Sequence, residues 1–108
     1  MSLEPPRTGG RPTRLAEHEV RQRLEHERSS RVAQLTSIDA TEGASTDELA
    51  RAQKASIERV LKDIDVAFER LADGSYGSCQ DCGTTVPAER LEILPYARCC
   101  VPCQQRNA

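Results

Sequence analysis

All five cysteines of this 108-residue chain lie in one stretch, CQDCGTTVPAERLEILPYARCCVPC, residues 79–103. They include two Cys-x2-Cys pairs, separated by 17 residues: Cys79 with Cys82, and Cys100 with Cys103. This spacing is typical of zinc sites. Two intervening residues let both thiolates of a pair face one ion, and two pairs complete a closed tetrahedron. The sequence therefore predicts one structural Zn²⁺ bound by these four residues, although four sulfur ligands alone do not exclude iron.

The fifth cysteine, Cys99, competes with its neighbour Cys100 for a place in the second pair. It could pair with Cys103 only across three residues, so Cys100 fits the two-residue spacing better. We expect Cys99 to be a small packing residue or a free thiol. A free thiol beside a zinc thiolate could also make the site sensitive to oxidation.

Other uses of clustered cysteines fit less well. A thioredoxin-like redox site needs one Cys-x2-Cys motif beside a βαβ unit, and the sequence indicates no such unit. A disulfide framework conflicts with the odd cysteine count and with a start, MSLEPPRTGGRPT, that lacks the apolar stretch of a secretory signal. We therefore expect a cytoplasmic protein, in which thiols stay reduced.

Composition favours a small, highly charged protein with a limited core. Hydrophobic residues make up 37% of the chain, with one Phe, two Tyr and no Trp, and 30% of residues are charged. A protein with so small a core often needs additional stabilisation, such as a bound metal ion. The net charge of −2 implies no general affinity for nucleic acids or anionic membranes, and no apolar run approaches the roughly 20 residues of a membrane span.

A first long helix is predicted from an N-cap at Thr13 to about Leu35. Three Glu–Arg pairs at i,i+4 support it, at positions 17/21, 19/23 and 27/31, each worth ~0.2–0.5 kcal/mol. Residues 36–45, TSIDATEGAS, interrupt the helical pattern with a glycine and small polar residues.

A second long helix is predicted from about Thr46 to about Ala72. Ser45 and Glu48 have the spacing of a capping box, and Gly74 stands where a C-terminal cap is expected. The apolar residues of this helix recur at steps of three and four, the period of a coiled coil. They are Ile57, Val60, Leu61, Ile64, Ala67, Phe68 and Leu71.

So polar a helix needs a partner for its apolar seam. The first helix carries a thin apolar stripe that can form the other side, at Leu15, Val20, Leu24, Val32 and Leu35. The short connection predicts an antiparallel hairpin, a rod about 35–40 Å long. A seam between two copies of the chain is the alternative.

No catalytic constellation is evident. His18 and His26 both lie on the charged first helix, no phosphate-binding glycine loop is present, and the clustered thiols are assigned to metal. We therefore expect that the protein is not an enzyme.

The cysteine motifs and their flanks resemble the DksA/TraR family of bacterial C4-type zinc-finger transcription regulators. The pattern consists of Gly74-x-Tyr76-Gly77-x-Cys79-x2-Cys82-Gly83, then Arg90-Leu91-Glu92 and Pro95, then Cys100 and Cys103. It is close over residues 74–103, and the predicted hairpin agrees in architecture.

This resemblance implies a regulator that binds RNA polymerase and inserts the hairpin into the secondary channel, altering initiation without reading DNA sequence. It places the working residues at the hairpin tip, where Asp39 and Glu42 are acidic. The family's Asp-x-x-Asp-x-Ala tip motif corresponds to Thr36, Asp39 and Thr41, so only its second Asp is kept.

The resemblance also bears on two further ligands. Basic residues that bind ppGpp in relatives correspond to Asp63, Leu94 and Gln104, none of them basic, so ppGpp cooperation is expected to be weak or absent. Residues 74–108 hold three basic residues against three acidic ones, which makes sequence-specific DNA binding unexpected.

Together these observations predict a mainly α fold in three segments. Residues 1–12 form a flexible N-terminal tail, residues 13–73 an antiparallel coiled-coil hairpin with its tip at about 36–45, and residues 74–108 a C4 zinc finger. We expect a monomer. The alternative function is a zinc-ribbon and coiled-coil adaptor or dimerisation module that binds another protein.

Overall fold

Helices dominate the computed structural model, which describes residues 14–43 and 46–106. This part of the chain contains two long helices, α1 (Arg14–Asp39) and α2 (Glu48–Asp73), and two short ones, α3 (Ala88–Ile93) and α4 (Val101–Arg106). The only β structure in the same residues is a single antiparallel bridge between Ser78 and Thr85. The predicted fold class is confirmed. The predicted tail and the N-cap at Thr13 lie outside the described residues.

Two ion pairs define the register of the antiparallel hairpin. Asp39 near the tip pairs with Lys54, at 3.0 Å, and Arg28 pairs with Asp65, at 3.1 Å. The paired residues are eleven positions apart on each helix. From the tip toward the finger, residue numbers fall along α1 and rise along α2, as in an antiparallel pair. The register is therefore the same at both pairs, and 26 residues in each helix make a rod about 39 Å long.

Helix α1 extends further than the sequence predicted. It ends at Asp39 rather than at Leu35, so the TSID sequence continues the helix instead of breaking it. Ile38, three residues beyond Leu35, is partly buried and prolongs the apolar stripe by about one turn. Packing against α2 therefore overrides the modest helix propensity of Thr36, Ser37 and Ile38.

Helix α2 begins later than predicted, and its cap is a different residue. The carboxylate of Asp47 accepts hydrogen bonds from the N–H groups of Leu49, at 2.9 Å, and Ala50, at 3.5 Å. The helix therefore begins at Glu48, and the prediction of an N-cap at Ser45 is wrong. The Ser-x-x-Glu pattern misled because an aspartate two residues on is an equally good cap that directly precedes the helix. Ser45 itself lies outside the described residues.

The hairpin core is thickest at the end that carries the cysteines. Leu24 of α1 and Ile64 of α2 are fully buried, and they join one cluster that continues into residues after α2. The other members of that cluster are Ala67, Leu71, Tyr76, Cys79, Val86, Leu91, Cys99, Cys100 and Cys103. Toward the tip the seam thins, and Val32 is already 39% exposed. The base of the hairpin and the cysteine segment therefore share a single core.

Arginines fix the joint between the hairpin and the cysteine segment. Gly74 closes α2 with φ +85°, a conformation that favours glycine, as predicted. The guanidinium of Arg70 then donates to the carbonyls of Ser75, at 2.8 Å, and Ser78. On the other helix, Arg23 donates to the carbonyls of Leu91 and Glu92 at the end of α3.

Two further contacts hold the same joint. The buried Tyr76 hydroxyl donates to the carbonyl of Pro95, at 2.8 Å, and burial raises the pKa of Tyr76 to about 12. Arg98 pairs with Asp63 of α2, at 3.2 Å.

No helix among the described residues is both long and apolar enough to span a bilayer.

Candidate metal centre

The first cysteine pair lies on a tight loop held by backbone hydrogen bonds. The N–H of Cys79 donates to the carbonyl of Thr84, at 2.6 Å, and the N–H of Gly83 donates to the carbonyl of Cys79, at 2.9 Å. Gly83 takes φ +78°, which a residue with a Cβ rarely adopts, so the chain reverses directly after Cys82. The loop thereby turns both thiols of the pair to the same side.

The second pair is positioned by the start of α4. Cys100 directly precedes this helix and Cys103 lies in its first turn, three residues on, so both side chains fall on one face. The N–H of Gln80, inside the first pair, donates to the carbonyl of Arg98, at 2.8 Å. This hydrogen bond joins the two loops and fixes their distance.

The four thiols predicted as ligands converge on one point. The sulfur atoms of Cys79, Cys82, Cys100 and Cys103 all lie within 4.8 Å of one another. Those of Cys82 and Cys100 are 3.7 Å apart. A tetrahedral zinc site with Zn–S distances of about 2.3 Å needs sulfurs roughly 3.8 Å apart, so the spacing fits one Zn²⁺.

Electrostatics at the centre favour a bound cation. Burial opposes ionisation of Cys79, but N–H groups of Cys100, Cys82 and Asp81 donate to its sulfur and lower its pKa to about 5. Hydrogen bonding with the Cys100 thiol, together with burial, raises the pKa of Cys103 to about 12. Four sulfurs this close cannot all carry charge unaided, so these residues would hold Zn²⁺ as thiolates only after the neutral thiols had lost their protons.

Two side chains outside the four cysteines add to this stabilisation. The Thr84 hydroxyl lies 2.9 Å from the sulfur of Cys82, and hydrogen bonding with Thr84 lowers the pKa of that thiol. Arg106 donates to the sulfur of Cys103, at 3.0 Å. Sequence reasoning missed both contacts, although an arginine three residues after a ligand, on a helix, lies on the ligand's face.

Comparison with known proteins identifies this arrangement. Residues 74–107 match the family model of the prokaryotic dksA/traR C4-type zinc finger. This segment is therefore a zinc finger of the DksA/TraR type. Its four clustered cysteines are the donor set of a C4 finger that binds one structural zinc ion.

Solved DksA structures resemble the hairpin and the finger together. DksA2 from Pseudomonas aeruginosa superposes with a TM-score of 0.66 and 27% identity, over 88% of this chain and 84% of that one. The RNA polymerase binding protein and transcriptional regulator Dks from Chlamydia trachomatis L2 gives 0.63 and 25%, over 88% and 90%.

Curated relatives match over shorter segments. General stress protein 16O of Bacillus subtilis is 38% identical over 60 residues, 55% of this chain and 37% of that protein. The RNA polymerase-binding transcription factor DksA of Caulobacter vibrioides is 39% identical over 49 residues, 45% of this chain and 34% of that protein. The matched segments therefore span about a third of these relatives.

Cys99 lies outside the four-sulfur group of this DksA/TraR finger. It is buried, its carbonyl accepts from Arg90 Nε, at 3.1 Å, and its thiol faces a carboxylate oxygen of Asp81, 3.7 Å away. Burial and the charge of Asp81 raise the pKa of Cys99. Cys100 thus lies in the four-sulfur group, whereas Cys99 has a place in the core.

The predicted tip residues lie at the opposite end of the hairpin. Asp39 is the last residue of α1 and is half exposed, and Thr36 and Thr41 are exposed on either side of it. The Thr41 hydroxyl donates to the carbonyl of Ser37, at 3.0 Å. The sequence analysis did not predict the ion pair of Asp39 with Lys54. The two residues have opposite charges and lie on either side of the predicted turn, which could have suggested it.

Proposed function

We propose that this chain is a transcription regulator that binds RNA polymerase and inserts the tip of its hairpin into the secondary channel, where it modulates initiation. The observation that carries the proposal is a DksA-like hairpin and C4 finger, matched over 88% of the chain. One protein of this architecture is an RNA polymerase binding protein and transcriptional regulator, and a relative matched over 49 residues is an RNA polymerase-binding transcription factor. A rod about 39 Å long is suited to reaching into a deep channel.

The proposed division of labour follows the three predicted segments. The hairpin, residues 13–73, enters the channel, and the finger, residues 74–108, holds its base; residues 1–12 lie outside the described residues. The zinc ligands are Cys79, Cys82, Cys100 and Cys103, and the ion is structural because a closed set of four sulfurs leaves no open position for substrate. The protein acts as a cytoplasmic monomer and not as an enzyme.

At the tip, we assign the partner contact to Asp39, with Thr36 and Thr41 flanking it. The half-exposed carboxylate suits a surface of basic residues and Mg²⁺ ions. Cooperation with ppGpp is expected to be weak, because the positions matching the basic residues of relatives are Asp63, Leu94 and Gln104. Asp63, moreover, forms an ion pair with Arg98, so the positive charge of Arg98 is already matched by a carboxylate of the same chain.

Polymerase binding and in vitro initiation assays with three proteins test the proposal: the wild type, Asp39→Ala and Glu69→Ala. Glu69 is an exposed carboxylate on α2, about 30 Å along the helix from the tip, so its variant controls for loss of one negative charge. We expect all three to bind polymerase, and Asp39→Ala alone to lose its effect on initiation. If the wild type does not bind polymerase, the function proposed from the DksA-like proteins is wrong. If Asp39→Ala changes initiation as strongly as the wild type does, only the proposed role of the tip is wrong.

The adaptor alternative predicts a different oligomeric state. Here the apolar residues of α2 pack against α1 of the same chain, which supports the intramolecular hairpin. Light scattering coupled to size-exclusion chromatography is expected to give a monomer mass. A dimer mass across the concentration range would instead support the dimerisation module.

A further inference from the structure

The carboxylate proposed as the working group of the tip already has a cation beside it. Lys54 Nζ lies 3.0 Å from Asp39 Oδ1, and the pair bridges the last residue of α1 and the second turn of α2. Both side chains are partly exposed, 41% for Lys54 and 52% for Asp39. The pair lines a cavity of about 360 Å³ between the helix ends, together with Ile38, Thr41 and Gly43.

Local electrostatics explain why this pair forms. The C-terminal end of a helix carries partial negative charge, which disfavours a carboxylate at the last residue of α1. The ammonium of Lys54 offsets that repulsion from the facing helix. Consistent with this, hydrogen bonding and charge attraction from Asp39 raise the pKa of Lys54.

A second carboxylate lies within reach of the same lysine. Glu58 is one turn further along α2, lines the same cavity, and its charge also raises the pKa of Lys54. Residues four apart on a helix are neighbours on its surface. Rotation of the flexible lysine side chain from Asp39 toward Glu58 would expose the full charge of Asp39 while Lys54 keeps a counter-ion.

We propose that Lys54 is a restraint on the tip: it neutralises Asp39 in the free protein and moves to Glu58 when the tip engages its partner. The inference rests on the proposed function, in which Asp39 meets cationic surroundings. Two effects then act in the same direction. Lys54 competes with the partner's positive groups for the carboxylate, and its own charge is repelled by them.

The restraint is a modest one, because exposed ion pairs are weak. Partly exposed pairs of this kind have small interaction energies that salt screens further. Removing the lysine is therefore expected to tighten polymerase binding by about two- to fivefold at low salt. Removing Glu58 should have the opposite sign, since Lys54 then has only Asp39 to pair with.

The variants Lys54→Gln, Lys62→Gln, Asp39→Asn and the double variant Asp39→Asn/Lys54→Gln test this inference in a polymerase competition assay. Lys62 lies two turns further along α2 from the tip and serves as the control for loss of one positive charge. We expect tighter binding from Lys54→Gln and little change from Lys62→Gln. Combined with Asp39→Asn, Lys54→Gln should give a smaller gain than it gives alone, because the competition for the carboxylate is then absent and only the charge repulsion is relieved. NMR titration of the lysine ammonium groups gives an independent reading: Asp39→Asn should lower the pKa of Lys54 and leave Lys62 unchanged.

Each other outcome overturns a defined claim. If neither the wild type nor any variant binds polymerase, the proposed function and the restraint both fail. If Asp39→Asn weakens binding but Lys54→Gln tightens it equally in the Asp39→Asn background, the tip role stands and the restraint is wrong. An unchanged pKa of Lys54 in Asp39→Asn excludes the ion pair in solution, and the inference with it.

Discussion

The two ends of the hairpin use the same pair of helices in opposite ways. At the finger end, Leu24, Ile64 and Tyr76 are buried in a core that also contains three of the four clustered cysteines. At the tip, Leu49 is 67% exposed, and the principal contact is the half-exposed pair of Asp39 and Lys54. Stabilising interactions are therefore concentrated where the zinc site lies, and the tip is left open to contact another molecule.

This difference has a physical cause in the sequence. A small chain with one Phe and no Trp can build one dense core but not two, and the metal site provides the point around which it forms. The helices then carry the tip away from that core. We expect substitutions at the finger end to change stability and those at the tip to change activity. The following experiments compare the size of the effect at the two ends.

The largest effect is expected from loss of a zinc ligand. Cys100→Ser removes one of the four converging thiols, so we expect it to lose zinc and the ordered structure of residues 74–106, since structural zinc contributes ~10 kcal/mol or more to such fingers. Metal content by mass spectrometry and amide dispersion by NMR measure both effects. Cys99→Ser is the matched control and should retain one zinc per chain; equal zinc loss in the two variants would refute the ligand assignment.

The next largest effect concerns the shared core. Leu24→Ala leaves a cavity at a fully buried position, and we expect it to lower the free energy of unfolding by about 2–5 kcal/mol in urea titrations. Leu49→Ala makes the same chemical change near the tip, where the side chain is mostly exposed, and should cost less than about 0.5 kcal/mol. Similar losses in both variants would show that the tip is packed as well as the base.

A smaller loss is expected at the joint. Tyr76→Phe removes the hydroxyl that donates to Pro95 and leaves a buried carbonyl without that donor, at a cost of about 1–3 kcal/mol in the same titration. Tyr96→Phe removes a hydroxyl from a partly buried ring and serves as the control. If Tyr76→Phe unfolds like the wild type, the joint does not depend on this hydrogen bond.

The smallest effect is expected at the tip end of α2. Asp47→Ala removes the N-cap, which should cost about 0.5–2 kcal/mol and speed hydrogen exchange at the amides of Leu49 and Ala50. Asp47→Asn keeps a capping oxygen and should restore protection. Slow exchange in Asp47→Ala would mean that another residue caps the helix.

Local patterns predicted most of this architecture. The cysteine spacing identified the four converging thiols, and the apolar period identified the α2 seam, because both are properties of residues close in sequence. Gly74 was recognised as a helix end because its conformational freedom is local. The predicted helix ends at the tip were wrong. Ile38 is kept helical by packing against the facing helix, and Asp47 caps α2 in place of Ser45, although the Ser45–Glu48 spacing fits a capping box equally well.

Contacts between distant residues could not be read in this way. Arg23 donates to carbonyls almost 70 positions away, and Arg106 donates to a ligand sulfur. Many arginines on these helices have the same local surroundings, so only the packing of the segments selects those that bridge them. The pair of Asp39 and Lys54 required the register of the hairpin, which depends on where the turn begins and ends.

The arginine-held joint also has a mechanical consequence. Arg70 and Arg23 bind the two helices separately to the cysteine segment, so both helices are held at the end where the hairpin meets the finger. Over an arm of about 39 Å, a swing of about 10° at the joint displaces the far end by about 7 Å, nearly twice the spacing of adjacent Cα atoms. The hydrogen bonds of these two guanidinium groups therefore limit how far the opposite end of the hairpin can shift relative to the finger.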